Sequence, residues 1–563
     1  MKSVIHHPLR TILLALFGVT LLLRVLTALT LEHAGYFDAF YYYHIAQNMA
    51  EGRGITESVI WNYLDDPQSL PRPGNQYWMP LTNVLAWLGL VTSGWLLGPW
   101  RAAQFPFVLL GSLLPPLAAW ISWLGWQRRD WAISAGVLTI FSGFYFTYWV
   151  VTDSFTPFAL SVALALISMW KAQESGAARW WALAGVGAAL SHLTRIDGAL
   201  LVPLIALLII WQTLRGPQRN GQHYLRWSSA AALGYLLLIG PWSLRNWLVT
   251  GTPFPGGGTQ TLWLRQYGEI FAYEPDLSLA RYLAWGIGPI IGSKLNSLLW
   301  SSLIVLGSTQ FFLAPFIFLS LREAARRSLF RPFLFYTLML LTAMPLIFTF
   351  PAIRGSLLHS SAALIPWMMA LVPPGIERAV TAIAARRRSW DAAQASQIFG
   401  MGFVMVAAII TMYIYIGGVW LDPAPDAPTA YERMPVPLDV CERTSGVSGP
   451  SVARWNERTV PFEEVEAWMT EQGVAKEERI FVGDPPSFHV MTRRPALVIP
   501  IEGPETIARA AREWDAPWLL LDRDRPGPYC EMYEKQLATA GWRPVAAFVD
   551  ALGHPVILFH FEP

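Results

Sequence analysis

Long charge-free apolar stretches are the feature of this sequence that most limits its fold. Ile398–Trp420 contains no charged residue, and Ala182–Ala189 and Ala199–Trp211 form two further apolar blocks. A helix crosses a bilayer with about 20 apolar residues, so such stretches predict membrane spans. Charged residues make up 14% of the chain, against roughly 25% in soluble domains. We therefore predict a polytopic α-helical membrane protein.

The first apolar segment, Thr11–Leu31, follows a basic N-terminal stretch and has some features of a signal peptide. It is longer than the apolar core of a signal peptide, and no small-residue cleavage site follows it. We therefore expect a retained first span whose basic end lies in the cytoplasm.

The apolar stretch Pro80–Leu97 decides the orientation of every later loop. The basic residues of those loops all lie on the cytoplasmic side only if this stretch does not cross the membrane completely. These residues are Arg128, Arg129, Lys171, Arg179, Arg215, Arg219, Arg226, Arg322, Arg326, Arg327, Arg331, Arg378 and Arg386–Arg388. Since short basic loops stay in the cytoplasm, we predict an interfacial or re-entrant segment and about 11 transmembrane helices.

This orientation places the longer, more acidic loops outside the cytoplasm. The predicted outer segments are Glu32–Arg101, Thr152–Ser154, Thr194–Asp197, Thr250 to about Ser297, Ala352–Ser360 and everything after Trp420. The inner loops are short, basic and otherwise plain. We therefore expect a multi-pass protein of the plasma or inner membrane whose chemistry takes place at the outer face.

The C-terminal part of the chain has a different composition from the rest. It opens with the proline-rich linker DPAPDAP and then alternates short apolar runs, RIFVGD, ALVIPI and PWLLLD, with amphipathic stretches. We predict a membrane module over 1–420 and a small extracytoplasmic α/β domain over 421–563. Cys441 and Cys530 both fall in this domain, where a disulfide is permitted, and the sequence leaves open whether they pair.

The first outer loop, GYFDAFYYYHIAQNMAEGRGI, has the pattern of a helix lying on the membrane surface. Tyr42, Ile45, Ala46 and Met49 share one face, and Asp38 stands where the helix begins. Asp38 has two readings, a helix N-cap and a general base. The two are compatible, because a carboxylate at a helix N-terminus stays ionised.

Three features together resemble the GT-C superfamily, which includes the protein O-mannosyltransferases and the aminoarabinose and other polyprenyl-phosphate-sugar transferases. They are the Asp38 loop with its Gly-x-Gly end, the stretch YWMPLTNVLAW that closes the loop, and Asp153 in VVTDSFTPF. The arrangement of spans and the soluble C-terminal domain also match this superfamily. The resemblance covers nearly the whole chain.

The resemblance implies a glycosyltransferase that uses a polyprenyl-phosphate-linked sugar. Asp38 would deprotonate an acceptor hydroxyl on a protein, lipid or glycan, with inversion at the anomeric carbon, and Asp153 would be a second carboxylate of the site. Some relatives carry a Glu-Lys pair where this chain has Trp78 and Met79. No convincing acidic metal cluster is present, so we assign no metal ligand and no cofactor, although a divalent metal stays open.

Several further residues are candidates for binding the donor. Arg354 and His359 lie together at the outer head of a span and suit a phosphate, the alternatives being snorkelling and helix capping. Arg72 is a weaker candidate in the first loop. Tyr41 and Tyr42, which follow Asp38 by three and four positions, are expected at the substrate.

Two other charged positions are more ambiguous. Arg195 and Asp197 sit at a tight outer turn, and we favour a role in stabilising that turn. Arg24 lies inside the first span, where an arginine is a functional candidate by default, although it can also reach the surface by snorkelling.

A lipid or polysaccharide transporter is the main alternative to an enzyme. Transporters usually show paired repeats with broken helices and polar groups near mid-membrane, and we find no clear internal repeat. The acidic residues collect at one surface, which favours an interfacial enzyme. The net charge of +2 gives no basic surface for nucleic acid.

Overall fold

The computed structural model describes residues 7–215, 221–254, 257–350, 356–387, 391–420, 454–522 and 525–562. Arg354, Cys441 and the proline-rich linker lie outside the described residues. Cys530 is disulfide-bonded.

The N-terminal part of the chain is almost entirely helical, as its apolar composition predicts. Its first ten α-helices are α1 His7–Thr30, α2 Phe37–Ala50, α3 Leu81–Leu97, α4 Pro99–Gly111, α5 Leu114–Trp126, α6 Arg129–Ile140, α7 Tyr145–Tyr148, α8 Phe155–Ser175, α9 Ala178–Thr194 and α10 Leu201–Arg215. The next nine are α11 Gly221–Thr250, α12 Gly257–Gln260, α13 Leu279–Ala284, α14 Ile287–Gly307, α15 Ala314–Ala324, α16 Arg331–Ile347, α17 Leu357–Ser360, α18 Ile365–Ala384 and α19 Ala392–Val419.

Within the described ranges, eight helical segments are long and apolar enough to cross a membrane. They are Leu9–Thr30, Pro99–Trp126, Phe155–Ser175, Ile196–Leu214, Ile287–Gly307, Ser328–Ile347, Leu357–Ala384 and Ala392–Val419. The predicted polytopic α-helical fold is confirmed. The count of about 11 spans stays a prediction, and α3, with 17 residues, is short for a complete crossing.

Helices α8 and α18 form the centre of the membrane module. Their apolar segments are 83% and 89% buried, whereas those of α14 and α19 are only 11% buried. The central helices therefore hold fixed positions against several neighbours, and the peripheral ones present apolar side chains outward, as expected in lipid. The segments just before α8 and α18 are the ones that carry Asp153 and His359.

The C-terminal domain is a six-stranded mixed sheet covered by helices. Its strands run in the spatial order β2 Val59–Ile60, β5 Ala496–Val498, β4 Ile480–Val482, β6 Trp518–Leu521, β8 Pro555–Phe561 and β7 Trp542–Val549. The helices are α20 Val460–Glu471, α21 Pro485–Thr492, α22 Pro504–Trp514 and α23 Cys530–Lys535. The first four strands in this order pair in parallel, and β8 is antiparallel to both its neighbours. The predicted α/β domain is confirmed.

One strand of this sheet comes from the first outer loop. Val59 lies opposite Ala496 and Ile60 opposite Leu497, so β2 is the edge strand of the C-terminal sheet. The same loop also forms a small antiparallel pair, β1 Thr56–Glu57 with β3 Arg72–Pro73. The boundary at 420 stays a prediction, because the sheet itself includes residues from both parts of the chain.

The start of the C-terminal domain packs on the C-terminal end of α1. The Trp455 indole donates to the His33 carbonyl oxygen at 3.0 Å, and the Asn456 amide donates to that of Thr30 at 2.9 Å. Gly35 has a φ of +82°, and a Cβ there would overlap the Trp455 ring. Only glycine therefore permits this close approach. The contact fixes the segment that leads into α2.

The buried charge in the first span has a structural partner. Arg24 is fully buried and donates to the carbonyl oxygens of Phe146 at 2.7 Å and Ile140 at 3.4 Å. Ile140 is the last residue of α6, and Phe146 belongs to α7, a helix of only four residues. Both carbonyl oxygens are therefore among the last four of their helix, which have no N–H partner within it. The Arg24 guanidinium also lies 4.7 Å from the centre of the Phe146 ring. Arg24 thus donates hydrogen bonds to carbonyl oxygens on both sides of the break between α6 and α7. Its charge is accommodated there without reaching the membrane surface.

We expect Arg24→Met to lower the melting temperature of the purified protein. The change leaves buried carbonyl oxygens without donors, and such a loss costs about 1–3 kcal/mol. Arg10→Met is the matched control, because Arg10 is an exposed arginine on the same helix. Equal melting temperatures for the two variants would show that the helix break does not need Arg24.

Candidate active site

Asp38 lies in the first turn of α2, one residue after the helix begins at Phe37. The N-cap position belongs to Tyr36, and no side chain makes a capping hydrogen bond there. The N-cap reading of Asp38 is therefore wrong. The carboxylate is still favoured by the positive end of the helix dipole, and its side chain is 25% exposed. Asp38 therefore does not cap its own helix, and part of its side chain is accessible.

His359 joins Asp38 to Asp153. Its Nε2 lies 3.3 Å from Oδ2 of Asp38 and 3.1 Å from Oδ2 of Asp153. The imidazole stacks on the Phe155 ring at 4.3 Å, which fixes its plane. The structure therefore brings together three of the residues predicted from the sequence, from three segments that are far apart in the chain.

Asp153 is the buried member of this cluster, with its side chain 1% exposed. One of its oxygens accepts hydrogen bonds from the Ser154 backbone N–H and hydroxyl, and the other accepts from the Tyr36 hydroxyl and faces His359. A buried carboxylate is tolerated only when it is paired in this way. Asp153 is therefore held in place by its neighbours, and Asp38 is the accessible carboxylate.

The pKa values of the Asp38 and Asp153 carboxyl groups shift in opposite directions. Burial raises the pKa of Asp38 to about 6, and the carboxylates of Asp153 and Asp484 add to this rise against the opposing effects of His359 and Arg195. Burial also disfavours ionised Asp153, but His359 and the hydrogen bonds from Tyr36 and Ser154 bring its pKa down to about 2. Burial raises the pKa of Tyr36 well above its usual value, so Tyr36 remains a donor. At neutral pH, Asp38 is an ionised carboxylate with an unusually high proton affinity.

Arg195 and Asp197 connect the segments that carry Asp153 and His359. Arg195 uses all three of its guanidinium nitrogens. Nε donates to Asp197 at 3.1 Å, Nη1 to the Ser154 hydroxyl at 3.0 Å, and Nη2 to the Ser356 carbonyl oxygen at 3.2 Å. Asp197 also accepts a hydrogen bond from Ser360, next to His359. The two residues do more than stabilise their own turn. Sequence reasoning missed this role because the partners are distant in sequence.

The C-terminal domain also reaches this site. Helices α2 and α21 pack side by side, with the rings of His44 and His489 4.4 Å apart. Asp484 accepts a hydrogen bond from the Ser487 backbone N–H at 3.1 Å as the N-cap of α21. The charge of Asp484 contributes to the raised pKa of Asp38, so the C-terminal domain adds to the electrostatics of the site. No sequence signal identified Asp484.

The other predicted site residues have different surroundings. Arg72 is buried and ion-paired with Glu57 at 2.5 Å and Asp65 at 2.9 Å, so its charge is neutralised within the first loop. Tyr41 and Tyr42 are both buried; Tyr41 accepts from the Asn75 backbone N–H at 3.1 Å. Arg354 lies outside the described residues. A substrate role for each of these four stays a prediction.

Asp38, Asp153 and His359 also have the donor set of a divalent metal site, because one ligand atom from each lies within 4.8 Å of the others. The Asp153 oxygens also accept hydrogen bonds from Ser154 and Tyr36. Each carboxylate oxygen has two lone pairs, and ligating carboxylates commonly accept hydrogen bonds as well, so these contacts leave room for a cation. Asp38, Asp153 and His359 are therefore the residues that would hold a divalent metal in the described part of the chain.

No family model and no curated protein sequence matches the chain. Among solved structures, ArnT from Cupriavidus metallidurans bound to undecaprenyl phosphate is similar, with a TM-score of 0.55 and 13% identity over 97% of each chain. The archaeal oligosaccharyltransferase AglB from Archaeoglobus fulgidus, in complex with an inhibitory peptide and a dolichol-phosphate, has a TM-score of 0.50 and 10% identity, covering 91% of this chain and 69% of that one. The chain shares their fold, and the GT-C-like architecture predicted from the sequence is confirmed.

Proposed function

We propose that this protein is a membrane glycosyltransferase that moves a sugar from a polyprenyl-phosphate donor to an acceptor hydroxyl at the outer face of the membrane. The observation that carries the proposal is the Asp38–His359–Asp153 cluster at the head of α2. The two similar structures support it, since one is bound to undecaprenyl phosphate and the other to a dolichol-phosphate.

Asp38 acts as the general base in this proposal. Its carboxylate takes the proton of the acceptor hydroxyl as that oxygen forms a bond to the anomeric carbon. The bond between this carbon and the phosphate oxygen breaks, and polyprenyl phosphate leaves with its negative charge. A single displacement inverts the anomeric centre. A pKa of about 6 suits Asp38 for this task at neutral pH.

The other members of the site orient Asp38 and balance charge. Asp153, which remains ionised, holds His359 through the 3.1 Å contact, and His359 in turn contacts Asp38. Arg195 is the cation whose charge acts on both carboxylates, and it supplies positive charge at the site where a phosphate has to leave. Arg354 remains a candidate for the same task.

The test uses the purified protein in nanodiscs with a panel of polyprenyl-phosphate sugars and extracts of cell-envelope acceptors. We expect release of polyprenyl phosphate only when both donor and acceptor are present, and mass spectrometry then names the sugar and the modified molecule. Donor that stays intact with every extract would contradict the proposal. In a parallel assay with the protein in sealed liposomes, movement of intact donor across the bilayer would indicate the transporter alternative.

We expect chelation to leave the transfer rate within about twofold of the untreated rate. The reason is that the proposed mechanism moves the proton to Asp38 without a metal ion, and Arg195 already supplies positive charge to both carboxylates. The measurement compares polyprenyl phosphate release before and after EDTA treatment. A loss of activity that Mn²⁺ or Mg²⁺ restores would contradict this expectation and would make the three residues metal ligands.

A further inference from the structure

A cavity lies between the first outer loop and the C-terminal domain, away from the Asp38 cluster. Its volume is about 440 Å³, and its polar lining consists of Glu51, Arg53, Ser58, His489 and Arg493. This volume is within the range of about 300–1,000 Å³ that is typical of small-molecule sites. The cavity contains none of the residues of the Asp38 cluster.

The cavity lies at the opposite end of α2 from Asp38. Glu51 directly follows this helix, and Asp38 lies in its first turn. With a rise of 1.5 Å per helical residue, the two ends are about 20 Å apart. The helix α2 therefore separates the cavity from Asp38. A single ligand could contact both only if it were several sugar units long.

Two arginines from different parts of the chain meet in this cavity. Arg493 has one ionic partner among the described residues, Glu51, and their 3.6 Å separation is too long for a hydrogen bond. Arg53 pairs with the same Glu51 and donates from Nε to Asn48 at 3.1 Å. Two guanidinium groups thus share one carboxylate, and most of the Arg493 donors face no acceptor in the described part of the chain. Such an arrangement suits an oxyanion.

His44 lies behind the cavity wall, against His489, which lines the cavity. His44 Nε2 accepts from the Ser58 backbone N–H at 2.9 Å, so in the neutral ring the proton is on Nδ1. This Nδ1 is buried and has no hydrogen-bond partner among the residues the structure describes. His44 itself does not line the cavity, so the charged donors that face a ligand there are those of Arg53 and Arg493.

We propose that this cavity binds an anionic group of the size of one phosphorylated sugar. The binding proposal depends only on the residues of the cavity and not on the proposed transferase activity. The idea that the bound group belongs to the acceptor rests on the proposed function. An acceptor whose anionic group lies in this cavity would need a hydroxyl about 20 Å away, along α2, to reach Asp38. The competing explanation is that Arg53, Arg493 and Glu51 only join the loop to the C-terminal domain.

The test measures binding by calorimetry to the purified full-length protein in detergent, without donor or turnover. The probe is glucose 6-phosphate, and glucose is the neutral comparison. We expect the phosphorylated sugar alone to bind, and Arg493→Met and Arg53→Met each to weaken binding at least about tenfold. Arg543→Met is the control, because Arg543 is an exposed arginine of the same domain that pairs with Glu562.

Glu51→Gln separates the two explanations without removing an arginine. It frees both guanidinium groups from their shared carboxylate, so an oxyanion should bind more tightly, whereas a purely structural ion pair predicts no gain. Equal binding of glucose, or an affinity that neither arginine variant lowers, would overturn the proposal. Since no transfer is measured, these results are independent of whether the transferase assay succeeds.

Discussion

Asp38→Asn is expected to lower the rate of sugar transfer by about 10²–10⁴-fold, which is the usual cost of removing a general base. Asparagine has nearly the same shape as aspartate but cannot accept the proton of the acceptor hydroxyl. Asp38 makes no capping hydrogen bond, and its replacement removes the favourable charge at the helix N-terminus, about 0.3–1 kcal/mol, together with the charge that faces His359. The activity should therefore be lost in a protein that still folds.

The matched control is Asp66→Asn in the same loop. Asp66 is exposed and has a φ of +49°, a conformation that asparagine also tolerates. We expect this variant to keep normal activity. Melting temperatures and donor affinity should be close to those of the parent protein for both variants. Near-normal turnover by a folded Asp38→Asn protein would remove Asp38 from the catalytic role.

The transfer rate is expected to fall steeply in acid, by about tenfold for each pH unit below about 6. The sign follows from the direction of the pKa shift: burial raises the pKa of Asp38 to about 6, so Asp38 takes up a proton as the pH falls through that value. A protonated carboxyl cannot act as the base. Between pH 7 and pH 4 the rate should decrease by about two orders of magnitude.

The pH dependence also distinguishes the two carboxylates. Asp153, with its pKa near 2, stays ionised over this whole range and contributes no inflection. The measurement is kcat/KM against pH for the parent protein and for Asp38→Asn at high enzyme concentration. The residual rate of the variant should lose the inflection near pH 6. A parent profile that is flat between pH 4 and 7 would contradict the assignment of Asp38 as the base.

Much of the fold was predictable because it depends on local composition. Apolar stretches long enough to span a bilayer predict helices whatever their partners are, and RIFVGD, ALVIPI and PWLLLD correspond to β4, β5 and β6. The position of β2 was not predictable. A two-residue strand has no pattern of its own, and it forms only because β5 offers an unpaired edge.

The site was predictable only in part, for a related physical reason. Asp38, Asp153 and His359 stood out as polar residues at outer loops, but their meeting depends on how α2, α8 and α18 pack. The N-cap interpretation of Asp38 failed because the N-cap is Tyr36, two residues before Asp38. Arg195 was read as part of a local turn, since its contacts with Ser154 and Ser356 link distant segments. These contacts depend on how distant segments pack together, and the spacing of residues along the chain does not predict that packing.

The edge strand β2 has a consequence for the order in which this protein is made. Its partner β5 is synthesised only after all the helices of the membrane module have left the ribosome. Until then, the loop between Asp38 and the closing helix α3 lacks its sheet, and Trp455 has not yet packed beside Gly35. Closing so long a loop is slow and entropically costly. A chain that stops short of the C-terminal domain therefore ends its synthesis with the first loop unsupported by the sheet, and we expect such a truncated chain to lack the proposed transferase activity.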